Sequence, residues 1–440
     1  METEPSDPPA AAAAACPRWV MLSRHSDRRA IADDAKATSA ASHTSSGHLL
    51  HVSFPLTSPP PACSTLYHDW PHIADPAARI QGPQIFASHG DCLLLDVTSG
   101  DPDRWRDTVV TDYFLYEAAA GARPPALLLL PTCFIPMIFE RKKKHDDEDQ
   151  DPSPLWSDYT GILRRRDGEV VVARLEVPKA TPRRTAELCV LDTGRLKWEI
   201  DQEVPIIHGE STARQAQELT QWWKTDEAVP VGDRFLCFVD YLRGFLLCDM
   251  AATAAAQELR YVPLPLEESP NRFPGFYDDE RPTTQMFRNL AAVRATAVRF
   301  VSVDRRCCCG GHGVSTCERG KFLFKVTTWT LSLTADDDEP PATWVMDSEL
   351  ECEELWAMPG YGSVPRTERL TFPVVRCDDP DVVCFVVHSP YRNGITMGPE
   401  DRKVWVLEID MRSKELRSVT VYDNSDRQAE YQVAAQLKCF

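Results

Sequence analysis

Apolar residues recur along this chain in short runs, alternating or continuous, each closed by Gly, Pro, Asp or Asn. Runs of roughly four to eight such positions are the mark of β-strands, since helical apolar positions return every three to four residues. The densest instance is Trp222–Leu266. Within it Phe235–Tyr241 and Gly244–Asp249 flank Leu242-Arg243, and Leu259–Pro265 begins a third run after an alanine-rich break. The Leu-Arg-Gly junction supplies a polar residue and a residue free to take positive φ, which predicts a tight hairpin. Three such runs predict a meander.

Strands are predicted in the same way at 19–22, 48–56, 85–88, 92–97, 112–116, 126–130, 168–177, 187–192 and 196–204. They continue at 292–303, 322–334, 343–346, 371–376, 382–388, 404–410 and 416–422. His89-Gly90-Asp91 is a further hairpin signal. Residues 29–47, rich in Asp, Ala, Ser and Thr, read as a loop with at most one helical turn. The one clear helix signal is 211–223, where a Ser/Thr cap precedes good helix formers. It should pack Trp222 or Trp223 against the sheet that follows.

One local pattern returns: apolar strand, Asp, turn residues, then Leu or Val heading the next strand. It occurs at 187–200, at 245–266 and at 404–421, and its first half at 93–100. Asp at a strand end holds the turn by accepting backbone N–H groups two residues on, so Asp69, Asp91, Asp192, Asp249 and Asp410 read as turn residues. Four-stranded units repeating at about 40–50 residues are how propeller blades look in sequence. The fold expected is all-β: an irregular β-propeller-like array of antiparallel meanders, roughly six to eight blades, with short helices in insertions. Trp19–Leu22 would pair with C-terminal strands to close the ring. Tandem β-sandwiches are the alternative.

Composition sharpens the outline. The chain has 440 residues, 43% of them hydrophobic, enough for a sizeable core. Residues 1–16, acidic and then Pro/Ala-rich, are expected to be a disordered leader, with 17–440 a single large domain. Insertions are expected at 141–153, 305–320 and 335–341. Arg141–Asp151 is a basic block running into an acidic one and reads as a solvated surface insertion. The formal charge of −18 argues against a polyanion partner, so no nucleic-acid partner is expected. The longest apolar stretch, 126–139, is interrupted by Pro131 and Pro136 and is too short to span a bilayer; no membrane partner is expected. Fifteen irregularly placed cysteines do not form a disulfide framework. No asparagine begins a glycosylation sequon, and the start lacks a signal peptide's basic and apolar segments. These features point to a soluble, cytoplasmic or nuclear monomer with an unknown protein partner.

Candidate chemistry is sparse. Cys307, Cys308, Cys309, His312 and Cys317 are soft and borderline ligands, but zinc needs four in a closed site and three adjacent thiols cannot all face one ion. The favoured reading is a glycine-rich loop, with no metal or cofactor. His208 lies near Glu210 and Ser211, an adjacency along the chain that does not make a triad, because triads assemble in space. Cys237 and Cys248 read as core thiols, and Trp222-Trp223 as packing anchors. Nucleophile elbows, phosphate loops, dinucleotide fingerprints and zinc-protease motifs are missing from the sequence. No catalytic residue is expected. The functional expectation is a non-catalytic protein-interaction module; the alternatives are a hydrolase with a pocket near the central channel and a zinc-stabilised regulator.

The run WWKTDEAVPVGDRFLCFVDYLRGFLLCDM followed by ELRYVPLPL resembles the signature region of the plant domain-of-unknown-function family 1618. RWVMLSR near the start, His51–Ser64, and ELCVLDTGRLKWEIDQEVPIIHG are similar to that family too. The resemblance spans most of 17–410, with the signature over 222–380. It implies no agreed activity and no catalytic residues. More distantly, the strand–Gly–strand–Leu-Pro pattern resembles the propeller-like domains that follow F-boxes, although no F-box is evident here.

Overall fold

The computed structural model describes residues 19–29, 38–54, 63–71, 81–99, 109–119, 122–135, 153–178, 185–208, 223–252, 256–266, 284–306, 323–333, 343–366, 369–388, 403–423 and 432–435. The chain opens with β1 (Val20–Arg28), β2 (Ala40–His43), β3 (Leu49–Ser53) and β4 (Cys63–Asp69). These lie in the spatial order β2-β3-β4-β1, with β1 parallel to β4. Next come β5 (Gln81–His89), β6 (Cys92–Ser99), β7 (Val110–Glu117) and β8 (Ala126–Leu129), an antiparallel meander. A third group, β9 (Thr160–Arg164), β10 (Val170–Glu176), β11 (Thr185–Asp192) and β12 (Lys197–Ile207), repeats the plan. So does a fourth: β13 (Glu227–Val231), β14 (Phe235–Asp240), β15 (Gly244–Asp249) and β16 (Leu259–Pro263).

The fifth group is β17 (Arg288–Arg294), β18 (Ala297–Arg305), β19 (Phe324–Ser332) and β20 (Val345–Glu351), followed by the helix α1 (Cys352–Ala357). Glu351 caps that helix in a reciprocal pair with Glu354. The sixth is β21 (Thr371–Val375), β22 (Val382–His388), β23 (Lys403–Asp410) and β24 (Glu415–Asp423). The last strand, β25 (Gln432–Ala435), returns to pair antiparallel with β1, Val20 facing Ala435 and Ser23 facing Gln432.

The result is a six-bladed β-propeller. The strands that begin blades II to VI, together with β25 in blade I, touch in circular order: β5, β9, β13, β17, β21, β25 and back to β5. Blade I is therefore composite, with its innermost strand from the C-terminal side and its other strands from the N-terminal side. This closure matches the pairing expected for Trp19–Leu22 and leaves no place for tandem sandwiches. Hydrophobic clusters fill the gaps between blades. One packs Val229, Phe235 and Phe245 of blade IV against Val298 and Phe300 of blade V, and another packs Trp19 and Met21 of blade I against Val374 and Val406 of blade VI. Two backbone bridges add to this, β12 to β16 and β1 to β5. Among the described residues, no helix is long and apolar enough to cross a membrane.

Several expectations need correction. Residues 40–43 form β2, inside a stretch read as loop. Residues 292–303 are not one strand but parts of β17 and β18, because the turn at Ala295-Thr296 lacks the Gly or Pro that would announce it. Gly244 does not sit at positive φ; it is the first residue of β15, and a Cβ there would lie 2.4 Å from the Val262 carbonyl and 2.5 Å from the Tyr261 ring. Close approach, not turn conformation, requires this glycine. Gly90, at φ 57°, does take the left-handed turn expected of it. The helix α1 lies between β20 and β21, outside the expected insertions. The predicted helix at 211–223 falls almost entirely outside the described residues, as do residues 1–16 and nearly all of the three insertions.

Candidate functional site

Each four-stranded antiparallel blade ends on the face opposite to the one its first strand runs toward. Every innermost strand of blades II to VI therefore starts at the same mouth of the central channel. β25 shares their direction, since it and β5 are both antiparallel to β1. One mouth thus gathers the beginnings of these strands, including Thr160, Glu227 and Arg288. The other gathers their ends, including His89 and Arg164.

At the first mouth Glu227, half-buried, heads β13, and its Oε2 accepts the Tyr241 hydroxyl at 2.7 Å. Tyr241 is fully buried, and its oxygen also accepts the Leu290 N–H at 3.0 Å, which joins blade IV to blade V. The Tyr241 N–H donates to Asp226 at 2.8 Å, the Gln285 side chain donates to the Asp226 carbonyl, and Arg288 donates to the Tyr241 carbonyl. Arg288 also reaches Asp304 at 3.6 Å. Asp240, fully buried, accepts from Leu242 N–H at 2.9 Å and from Arg243 at 3.0 Å. These groups are locked in place.

Burial raises the Glu227 carboxyl above its ordinary range; Arg24 and the Tyr241 hydrogen bond pull it back, and Asp158 pushes it further up. Arg24 comes from β1 of blade I, and Asp158 from the turn that precedes β9 of blade III. A carboxyl of raised pKa on blade IV thus feels a second carboxyl group from blade III and a guanidinium from blade I. Such convergence marks a candidate binding or proton-transfer site. Trp156, 49% exposed, lies two residues ahead of Asp158. Phe134, 48% exposed, lies in the same interblade connection, next to the bond that Ser153 N–H donates to the Cys133 carbonyl at 2.6 Å.

The base of that connection is rigid. Arg174, with no exposed surface, donates to Ser153 Oγ at 2.9 Å, to the Pro154 carbonyl at 3.0 Å and to the Ile135 carbonyl at 2.7 Å. Trp198 Nε1 donates to the Pro131 carbonyl at 2.9 Å. Ile135, Ser153 and Pro154 are thereby fixed to blade III.

At the opposite mouth Arg164 gathers Cys92 Sγ at 2.7 Å, Asp91 at 3.1 Å and Glu117 at 3.2 Å. His89 accepts the Arg164 N–H through Nδ1 at 2.8 Å. Burial lowers the His89 imidazole to about 4 and raises the Cys92 thiol to about 12. This cluster ties blade II to blade III and holds a neutral histidine and a protonated thiol at neutral pH, so it lacks a ready nucleophile.

The residues singled out in the sequence separate clearly. Asp192, Asp249 and Asp410 each accept the backbone N–H two residues on, at 2.9 to 3.0 Å. Asp91 serves the Arg164 cluster instead. Cys237 and Cys248 are buried, and burial raises both thiols. Trp223 is a packing anchor, 3% exposed, with Nε1 donating to Thr225. His208 lies against the Tyr261 ring at 5.8 Å between centroids. Glu210, Ser211, Trp222, Cys307, Cys308, Cys309, His312 and Cys317 lie outside the described residues, and among the described residues no group of three or more His, Cys, Asp or Glu is placed to hold a metal. Sequence reading missed Glu227, Asp158 and Arg24. The available signal for Glu227 was the run EAVPV ahead of β14, in which Pro230 disguised an innermost strand.

Residues 238–384 match the family described as "Protein of unknown function (DUF1618)". No curated protein matches the chain. Among solved structures, the polysaccharide lyase Uly1 is similar with a TM-score of 0.30 at 8% identity, over 92% of this chain and 82% of that one. The β-propeller domain of the Trilobed protease from Pyrococcus furiosus gives 0.29 at 9% identity, over 79% and 98%. The WD40 domain of SCAP from fission yeast gives 0.27 at 11% identity, over 88% and 77%. Likeness this low carries nothing about chemistry.

Proposed function

We propose that this chain is a non-catalytic protein-interaction module whose partner docks on the face of the first channel mouth. The observation that carries this reading is the pair of exposed aromatics, Phe134 and Trp156, presented on a connection that buried Arg174 holds rigid. Aromatic side chains on a fixed base lose little entropy on docking and are frequent anchors of interfaces. Loops on a propeller are positioned by its strands, and here the strands supply that rigidity. The expected cytoplasmic or nuclear location, monomeric state and plant origin belong to the same proposal and rest on the sequence alone.

The test is affinity purification with the full chain as bait, beside a Phe134→Ser/Trp156→Ser variant of equal thermal stability. A partner that binds directly when purified, and is retained by the wild type but lost from the variant, is the expected result. Identical recovery by both baits would contradict it.

A hydrolytic reading is favoured by one observation, the raised Glu227 carboxyl beside Asp158. A carboxyl raised above its ordinary range is what general-acid chemistry uses. Turnover of ester, glycoside or peptide substrates that vanished in Glu227→Gln would establish it over the non-catalytic reading.

A further inference from the structure

Blade V ends in an edge that the ring leaves open. β20 pairs on one side with β19, and among the described residues no strand lies on its other side. Blades III and IV use the equivalent edges on each other: β12 pairs parallel with β16, Ile206 facing Leu259 and Ile207 facing Arg260. An outermost strand in this fold therefore accepts an added strand. The open edge carries Val345, 62% exposed, and Met346, 59% exposed, the two most exposed large apolar side chains among the described residues. A bare apolar edge is a template for pairing with another chain.

The start of this edge is fixed. Trp344 Nε1 donates to the Pro263 carbonyl of blade IV at 2.8 Å, and its ring lies against Phe245 and Phe300 at 6.4 and 6.1 Å between centroids. A rigid edge loses little entropy when a strand is added. Asp347 bulges from the β19 ladder, which leaves 345–346 and 348–351 as the lengths for pairing.

Charge selects which strand fits. From Val326 to Pro365 the sequence holds nine acidic residues and no Lys or Arg. Asp347, Glu349 and Glu351 lie on β20 itself. Arg306 pairs with Glu351, and Arg299 is shared between Asp347 and Asp381. Lys325 reaches Glu349 at 3.0 Å but leaves that side chain 41% exposed. A second copy of β20 would set carboxylates against carboxylates, which is unfavourable across paired strands.

We propose that the outer edge of β20 binds an extended basic segment of a protein partner by strand addition, with apolar residues beside Val345 and Met346 and Lys or Arg facing Glu349. Main-chain hydrogen bonds supply the affinity, and the alternating side chains supply the selectivity. This surface is the outermost strand of blade V, whereas Phe134 and Trp156 stand between blades II and III, so it is independent of docking there.

The experiment titrates the full chain with acetyl-Lys-Val-Lys-Val-Lys-Val-Lys-amide, followed by fluorescence anisotropy, and with the same peptide N-methylated at every residue. Methylation keeps the charge and removes the N–H groups that pair. The variants are Val345→Lys/Met346→Lys and Glu349→Lys, each confirmed as folded by thermal melting, with Phe134→Ser/Trp156→Ser as the control. The expected result is equal binding by wild type and control, affinity lower by about tenfold or more in both edge variants, and none for the methylated peptide. Amides across 345–349 should also exchange more slowly once the peptide is bound. No binding, unchanged affinity in the edge variants, or equal binding of the methylated peptide would each overturn the proposal. Slow exchange across 345–349 that the peptide does not alter would show the edge already occupied and overturn it too. So would a wild-type dimer in sedimentation that Val345→Lys/Met346→Lys abolishes, because the occupant would then be a second copy.

Discussion

Arg174 shows how one side chain sets local architecture. It sits on β10, has no exposed surface, and satisfies two carbonyls and a hydroxyl on the connection between blades II and III. Arg174→Leu removes the donor and leaves those acceptors buried, so unfolding stability should fall by roughly 3 kcal/mol, measured by urea denaturation. The exposed aromatics should then lose their fixed placement, which protease cleavage near 134 and 156 would report. Titration gives a second residue-scale prediction. His68 and His89 are both lowered to about 4, mainly by burial. The unfolded chain takes up these protons near the ordinary 6.5, whereas the folded one waits until about 4. Stability from both histidines is therefore present above pH 6.5 and lost between there and 4. Asp96, raised to about 7 by burial, acts with the opposite sign between its ordinary 3.8 and 7. Between pH 7 and pH 5 the two histidines together outweigh Asp96, so on acidification the melting temperature should fall in the wild type, fall further in Asp96→Asn and rise in His68→Gln/His89→Asn. An unchanged pH profile in both variants would refute this assignment.

Among the elements, the middle strands were legible, as were β5 and β21 beside the channel, whereas the innermost strands β9, β13 and β25 were not. β14, β15, β22 and β23 are buried almost throughout, so they read as continuous apolar runs. β9 begins Thr-Gly, β13 contains Pro230, and β25 is only four residues long. A strand that borders a channel is short, tolerates polar residues and needs small ones where blades converge, as at Gly161, where a Cβ would lie 2.7 Å from Ala228. These features weaken the pattern that reveals other strands. The channel site was illegible for the same reason: Arg24, Asp158 and Glu227 are far apart in sequence, and only ring closure joins them. The Asp-ended turns, by contrast, depend on contacts two residues away and were readable directly. Gly244 offers a test of the corrected reading. Gly244→Ala must displace the Val262 carbonyl and should cost about 2 kcal/mol. Gly90→Ala, with nothing within 4 Å of the new Cβ but φ at +57°, should cost only about 1 kcal/mol. Equal costs in chemical denaturation would show that packing does not govern Gly244.

Over the whole molecule, everything at the mouth depends on a ring that the two ends of the chain close together. β25 covers the inner edge of β1 and touches both β5 and β21. Without it, blade I has no innermost strand. An open sheet edge exchanges its amide protons readily, whereas a paired one is protected. The most direct test is hydrogen exchange on the full chain and on a chain ending at Asp423. Closure by β25 predicts strong protection across 20–23 in the full chain, with faster exchange there and in β5 and β21 after truncation, while β14 and β15 stay protected. Equal exchange across 20–23 in the two chains would contradict it.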